Sequence, residues 1–554
     1  MIAENRIECD VLVVGGGIAG CFAAVKAKEQ NAHVILADKG CVGKSGQSPF
    51  ANSIMAFNAD EGHDLDAWMR YENKTGEYIN NRYWTEQCIK GSWSIYRELI
   101  SWGLEFKQDK AYDPGRYDSS TPKGLFETKA YAAADMSKIL RRRVAESGVK
   151  IIDRVMIAEL LKQNGRIIGA VGISPVVDEL YIFIAKTTIL CVGACGFKPI
   201  GYAPLNLLTC DGEAMSYRAG AEIGGKEFVS AHFGRIGVPS LFCRKIALPE
   251  IDAMIGKEPG FALIKELYNA EGDRINKRPQ GASGYMFTYL QAELEAHEGR
   301  APIIWRTPNG NKNIVGGAAL GMSLRKCDGL WPANAECAST VPGLYAAGDS
   351  LYTNSNGASY SLEGSSMSGS ALTGSIAGKA AAREALGMSG PVAEESIVDQ
   401  AKRTVLAPCE RQGGYGPRWV IQLLQNTMLP YFVSYIKKED RLQAALTVVM
   451  FMQEHLIPMV FAKDYHELRL AHEAKNMVLS AEMRLRSSSF RKESRGNHYR
   501  EDYPRRNDPD WLAWTKIKED HGEMRLEKAP VPQEWLPDLS VPYEDRYPFR
   551  FPGE

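Results

Sequence analysis

The chain lacks any arrangement of residues that ordinarily holds a metal. Its 11 cysteines and nine histidines are scattered over 554 residues. The closest cysteines are Cys191 and Cys195, no C-x-x-C occurs, and no two histidines stand at i, i+4. Zinc and a four-cysteine iron–sulfur cluster are thereby denied their usual spacings, so no protein-held metal is expected and the thiols are expected to be reduced and mostly buried. Long apolar runs are missing as well. The best, Ala444 to Met452, is stopped by Gln453-Glu454-His455, which excludes a membrane-spanning helix of ordinary length. An excess of either charge is absent too. With 66 basic and 67 acidic residues the net charge is −1, and nothing points to a general affinity for nucleic acid or anionic lipid. The N-terminus has no signal-peptide layout, so the expected location is cytoplasmic, without membrane insertion. At 45% hydrophobic and 24% charged residues the composition is that of a globular protein, and the length calls for two to four domains.

What is present starts at Asp10. Val11 to Val14 form an apolar run that reads as a buried parallel strand. Gly15-Gly16-Gly17-Ile18-Ala19-Gly20 then supplies G-x-G-x-x-G, and Ile18 to Ala27 reads as a helix. A second strand-like run, His33 to Ala37, ends in Asp38. Strand, glycine turn, helix, strand and acid follow one another in the order of a dinucleotide-binding unit. In such a unit Gly15 permits the tight turn, Gly17 lets backbone approach a pyrophosphate, and Gly20 lets the helix lie on the strand. The free amides of the helix N-terminus then face the phosphates.

The loop Lys39-Gly40-Cys41-Val42-Gly43-Lys44-Ser45-Gly46-Gln47-Ser48 is built of small residues and can approach a planar cofactor closely. Helical periodicity dominates from Asp64 to Trp102. Three strands are expected at Val155 to Leu161, Ile167 to Ile173 and Leu180 to Ala185, turning at Asn164-Gly165. A separate buried strand, Thr187 to Val192, ends in Gly193-Ala194-Cys195-Gly196; returning to the first sheet, it would bring those small residues near the dinucleotide. From Lys226 to about Arg325 the proline-punctuated texture suggests an inserted domain. Val341 to Asp349 is a turn, a short strand and an acid. After it, Gly364, Ser365, Ser366, Gly369 and Gly374 would let a helix N-terminus lie against a ligand. Leu470, Ala474, Met477 and Ala481 form a core-facing helical stripe. Beyond Asn507 the chain reads as an extended tail, in which Trp511, Trp514 and Trp535 serve either a docking arm or packing.

Several separated segments together resemble the succinate dehydrogenase/fumarate reductase flavoprotein superfamily, which includes L-aspartate oxidase and the alpha chain of adenylylsulfate reductase. They are Val13 to Gly20, Cys210-Asp211-Gly212-Glu213-Ala214-Met215 through Ala221, Gly343 to Asp349, and Phe490 to Pro504 with Glu493-Ser494-Arg495-Gly496-Asn497-His498 at its centre. The resemblance implies an α/β protein: a two-segment FAD-binding dinucleotide fold with an inserted α+β capping domain and a C-terminal helical domain. The expected divisions are 1–225 (first FAD segment), 226–325 (cap), 326–388 (second FAD segment), 389–506 (helical domain) and 507–554 (tail). It implies FAD contacts at Gly15, Gly17, Ile18, Ala19 and Gly20, at Asp38 for the adenosine ribose, and at Lys39, Gly40, Lys44, Ser45 and Gly46. It also implies Met156 on the adenine side, Gly193 and Asp211, Gly348 and Asp349 toward the ribityl chain, and the Ser365 and Ser366 amides at the flavin pyrimidine, where N–H dipoles stabilise the anionic reduced ring.

Departures from the family pattern carry as much meaning. In the respiratory enzymes a histidine after Arg-Ser bonds covalently to FAD; here Lys44-Ser45 is followed by Gly46, so FAD is expected to be non-covalent. The cap-entry histidine five residues after a glutamate is retained as His232 after Glu227, where adenylylsulfate reductases carry arginine. The second substrate histidine falls near Lys312, and the arginine after His-Gly-Ala-Asn falls at Tyr360 or Ser361. No Arg-Gly-Glu-Gly-Gly occurs. A C4-dicarboxylate needs two charge-matched clamps of the kind bidentate arginine supplies, so fumarate and succinate are disfavoured. The leading expectation is an FAD-dependent oxidoreductase acting on another unsaturated small molecule, with His232, Arg235, Lys312 and Tyr360 as candidates for binding and proton transfer. Two alternatives stand beside it: a flavin-bearing subunit that only relays electrons, and a protein like the alpha chain of adenylylsulfate reductase. The family-level partner is a separate iron–sulfur subunit. Oligomerisation is compatible with the sequence.

Overall fold

The computed structural model describes residues 3–107, 122–125, 127–197, 208–228, 230–235, 267–274, 294–295, 298–300, 303–306, 312–322, 328–359, 364–547 and 550–554. Strand β1 (Ala3–Val14) has two characters. Its first half alternates between exposed and half-buried positions, whereas Val11 to Val14 are buried throughout, as expected of a parallel strand covered on both faces. Helix α1 (Ile18–Lys28) follows, and β2 (Val34–Asp38) returns parallel to β1 with Val11 opposite Val34. Four more strands complete the long path of the sheet: β3 (Lys150–Asp153), β4 (Met156–Gln163), β5 (Arg166–Ile173) and β6 (Glu179–Leu190). Their order is β3-β2-β1-β6-β5-β4.

Here the structure differs from the sequence reading. Leu180 to Ala185 and Thr187 to Leu190 are one 12-residue strand, β6. Lys186 looks like a polar break between two apolar runs. Its side chain, however, projects to an ion pair with Asp10 at 2.8 Å while the backbone continues. One edge of β6 carries β1 along its length in parallel. The other carries β5 antiparallel along the first half, then β9 (Leu344–Ala346) in parallel at its end.

After helix α2 (Asp211–Arg218), strand β7 (Ser230–Arg235) pairs antiparallel with β8 (Lys312–Met322) in a separate four-stranded sheet. Helix α3 (Ser365–Leu386) then re-enters the first unit and lies on α1. The approach is close because two α3 glycines face α1 backbone. A Cβ on Gly374 would stand 2.2 Å from the Ala19 carbonyl oxygen, and one on Gly378 2.3 Å from that of Ala23. Gly374 therefore answers to helix packing, not to a ligand.

Helix α4 (Tyr465–Phe490) buries Leu470, Ala474, Met477 and Ala481 as one face. Its N-terminus is capped by Asp464, which accepts from the Glu467 amide at 2.8 Å. The segment beyond Asn507 is folded against the protein. Strands β10 (Ala513–Asp520) and β11 (Glu523–Pro530) form a hairpin, Trp511 and Trp514 are buried, and the Trp514 indole donates to the Ile79 carbonyl at 2.7 Å. For these two tryptophans packing, not an arm, is the outcome. Beneath them runs a buried ion-pair network: Arg491 with Glu227 and Glu493 (both 2.8 Å), Arg495 with Glu493 (2.7 Å) and Asp508 (2.6 Å), and Arg506 with Glu77 (2.7 Å).

A second correction concerns the thiols. Cys195 and Cys210 form a disulfide. The small-residue stretch after β6 and the start of α2 turn toward each other, bringing together two cysteines that no short motif links. The other described cysteines, Cys9, Cys21, Cys41, Cys88, Cys191, Cys337 and Cys409, are reduced.

Candidate active site

The glycine turn is enforced by its neighbours. Gly15 has φ +99°, its amide donates to the Ala37 carbonyl at 2.8 Å, and a Cβ there would lie 2.4 Å from the Cys191 carbonyl oxygen. A Cβ on Gly20 would come within 1.8 Å of the Gly15 carbonyl oxygen. These two glycines pack strand, turn and helix together. Gly17 differs: its nearest would-be contact is the Ser48 hydroxyl at 3.2 Å, and it caps α1 without any side-chain bond. Ser48 Oγ accepts from the first α1 amide, Ile18 N, at 3.0 Å, so an oxygen already faces the helix N-terminus.

Asp38 ends β2 buried, and its carboxylate organises both loops. Oδ2 accepts from Gly16 N at 2.6 Å; Oδ1 accepts from Gly40 N and from Ser45 Oγ, each at 2.7 Å. Around this centre one cleft gathers Gly15, Gly17, Ile18, Ala19, Asp38, Lys39, Gly40, Ser45, Gly46, Met156, Gly193, Asp211, Gly348 and Asp349. Gly20 stays behind the turn, Lys44 points to solvent, and Ser365 and Ser366 open α3 outside the cleft lining. Gln47, Ser48, Cys191, Leu208, Met215, Ala347 and Ser370 also line the cleft and were not singled out from sequence. Gln47 and Ser48 belong to the small-residue loop that the sequence placed near a planar cofactor, though not as individual contacts.

Lys39 and Asp211 sit together but are turned on each other. The ammonium of Lys39 donates to Asp211 Oδ2 and Thr209 Oγ1 at 2.7 Å and to Glu473 at 3.1 Å. Burial works against this charge, yet Asp211 and Glu473 outweigh it and hold the lysine above its ordinary pKa. The pair thus locks the β2 loop to α2 and α4.

The cleft fits FAD on two grounds. It runs from the glycine turn past Asp38 to Gly348-Asp349. Gly46 (φ +68°) lies on its wall with nothing within 4 Å of a would-be Cβ. Outside the lining, in the first turn of α3, the Ser365 hydroxyl is buried without a hydrogen-bond partner among the described residues.

The substrate-side candidates are placed by backbone. His232 and Arg235 lie on β7, opposite Ala319 and Val315 of β8; Lys312 begins β8, three residues before Val315. Tyr360 lies outside the described residues. Glu227, at the entry to β7, is fully buried. It accepts from Arg491 Nε at 2.8 Å and Thr515 Oγ1 at 2.7 Å, while its carbonyl accepts from Lys437 Nζ at 2.5 Å. Burial, with Arg484 nearby, holds Lys437 well below an ordinary lysine pKa.

Comparison with known proteins adds an independent line. Residues 10–241 match the family described as "FAD binding domain", and residues 422–547 match "Fumarate reductase flavoprotein C-term". An uncharacterized FAD-dependent oxidoreductase of Methanocaldococcus jannaschii is 26% identical, covering 90% of this chain and 94% of its own. One of the subunits of the fumarate reductase (CoM/CoB) of Methanothermobacter marburgensis is 26% identical over 91% of this chain and 96% of its own. Among solved structures, adenylylsulfate reductase from Archaeoglobus fulgidus superposes with TM-score 0.75 at 22% identity, over 96% of this chain and 97% of that one. The E. coli quinol fumarate reductase gives 0.80 at 18% identity, over 96% and 98%.

Proposed function

This chain belongs to the succinate dehydrogenase/fumarate reductase flavoprotein family and is an FAD-dependent oxidoreductase; from that premise we propose that it exchanges two electrons between non-covalently held FAD and a small unsaturated acid other than fumarate or succinate. Bound FAD supplies the hydride chemistry. The chain's part is to hold the cofactor, orient the substrate and manage a proton. Gly15, Gly17, Ile18 and Ala19 take the pyrophosphate, with Gly20 packing the turn behind them, Asp38 and Gly40 the ribose side, and Met156 the adenine side. Gly348 and Asp349 take the ribityl chain, and the Ser365 and Ser366 amides the flavin pyrimidine. Lys39, Ser45 and Asp211 act as positioning groups through the bonds described above, and Gly193 leaves room beside them. Gly46, with open space around it, offers no side chain for a covalent link.

The observation that carries the substrate reading is the register of β7 and β8. It places one histidine and two cations, His232, Arg235 and Lys312, on adjacent strands, with Arg235 the one arginine of β7 and β8 and Arg306, of the neighbouring strand Ile303–Arg306, at the register position opposite Lys312. One carboxylate can be met by Arg235 or Lys312, with His232 and Tyr360 available for the proton. A dicarboxylate would need a second bidentate clamp, and β7 and β8 themselves offer no second arginine for it. The electrons reach the flavin through a separate iron–sulfur subunit. Relatives that are themselves subunits of fumarate reductases support this reading.

A second reading, attack on the sulfur of adenylylsulfate, is favoured by Ser45-Gly46 and opposed by His232. One experiment separates the two. The holoenzyme is photoreduced without oxygen and mixed in turn with a monocarboxylic enoate, fumarate and adenylylsulfate while flavin absorbance is followed. Reoxidation by the enoate, with at least a tenfold lower rate for fumarate and none for adenylylsulfate, is expected. Fast reoxidation by fumarate would refute the proposal. Reoxidation by adenylylsulfate alone would install the second reading. No reoxidation by any of the three would leave a subunit that only relays electrons.

A further inference from the structure

The Cys195–Cys210 disulfide joins the segment after β6 to the start of α2, beside the cofactor cleft. Both residues are buried, and they line a small cavity with Gly193, Asp211, Asp349 and Ser350. Gly193, Asp211 and Asp349 also line the cofactor cleft, so one layer of residues separates the two spaces. Cys191, four residues before Cys195, lies on the cleft wall and takes no part in this bond.

Two further observations bear on the pair. Cys210 has φ +64°, a left-handed conformation that glycine adopts without strain and a cysteine does not. Residues held in this way gather at functional sites. The sulfur of Cys195 also has an outlet for protons. It lies 2.9 Å from the Ser480 hydroxyl, which in turn donates to Glu213. Glu213 takes two 2.8 Å bonds from the buried ammonium of Lys226. A chain of polar atoms therefore runs from a disulfide sulfur to a buried carboxylate whose charge is compensated, through an otherwise apolar cluster of Phe197, Met477 and Ala481.

We infer that Cys195 and Cys210 are a redox-active pair that exchanges two electrons with the flavin of this enzyme. In the reductive direction the S–S bond breaks and two S–H bonds form. The two electrons come from reduced FAD, which is oxidised in the same step. Oxidation of the reduced cofactor releases one proton and the two sulfurs take up two, so one proton is drawn in net, and the Ser480 hydroxyl beside Cys195, bonded to Glu213, is the polar group that delivers protons to the pair. The reverse step re-forms the bond and returns both electrons. The inference depends on FAD occupying the cleft, not on the identity of the substrate.

The test is a reductive titration of the oxygen-free holoenzyme, with acid quench and differential alkylation of cysteines read by mass spectrometry. The wild type is expected to take up four electrons per flavin and to expose two additional alkylatable thiols, mapped to Cys195 and Cys210. C195S and the double variant C195S/C210S, each retaining flavin, are expected to take up two. Ser480→Ala should keep the disulfide but slow thiol formation by tenfold or more, with an altered pH profile. A wild-type uptake of two electrons with the disulfide intact would overturn the inference and leave a staple. Two free thiols at these positions in the oxidised protein would overturn it as well. Photoreduction supplies the electrons, so a wrong substrate assignment leaves this result unaffected.

Discussion

Replacing Gly20 with alanine would put a methyl carbon 1.8 Å from the Gly15 carbonyl oxygen, a distance that only movement of strand or helix can relieve. We expect G20A to lose about 1–3 kcal/mol of stability as overpacking and to purify with little flavin, both measurable by urea unfolding and the ratio of flavin to protein absorbance. Gly17→Ala is the control. Its nearest neighbour is a serine hydroxyl at 3.2 Å, so the fold should survive while FAD binding weakens. Asp38→Asn tests the other half of the cradle. Three donors converge on the carboxylate, and an amide would face one of them with an N–H of its own. An unsatisfied buried donor costs about 1–3 kcal/mol, so the variant should unfold at lower urea and release FAD on ultrafiltration. At this scale the spacing of glycines and acid was enough to find the cradle, because every contact that shapes it is either local or made to backbone. The engagement of Lys39 with Asp211 and Glu473 was not legible, since its partners stand far away in sequence and no periodicity joins them.

Helix α3 shows how elements position a site that they barely touch. Its glycines at 374 and 378 meet the Ala19 and Ala23 carbonyls of α1. Gly378→Val should therefore lower the melting temperature by several degrees and reduce flavin content, although residue 378 does not line the cleft. A variant that melts normally but lacks flavin would show that the helix contact is not what transmits the effect. The sequence announced α3 through its small residues but suggested a ligand as the reason for Gly374, where the reason is another helix. Small residues look the same whether backbone or cofactor comes close. The same ambiguity hid the continuity of β6: one lysine in an apolar run reads as a break until Asp10 is seen to receive it.

Around the C-terminal arginines, charge is handled by burial in matched groups. Arg495 is fully buried between Glu493 and Asp508, and removing it leaves Glu493 to Arg491 and Asp508 to Tyr547 and Arg546. R495M should cost about 3–5 kcal/mol, read as a falling urea midpoint. Acid should act on the buried histidines. Burial, reinforced by Lys475, lowers the His472 pKa from 6.5 to about 4. Between those values the unfolded chain binds a proton that the folded one refuses, so stability falls as pH drops through that window and is unaffected by this group above it. At roughly 1.4 kcal/mol per pH unit the loss is about 3 kcal/mol, and unfolding H472Q at pH 5 and pH 7.5 should show a correspondingly flatter dependence. None of these networks has a sequence signature beyond the arginine-rich stretch that suggested the family. The α1–α3 contact also bears on how the protein is made. Ala19 leaves the ribosome early, and Gly374 follows roughly 350 residues later. At about 5–20 residues per second, α1 waits roughly 20–70 s for the helix that covers it. During that interval the nascent chain presents an uncovered apolar helix to the cell and has no finished place to receive its flavin.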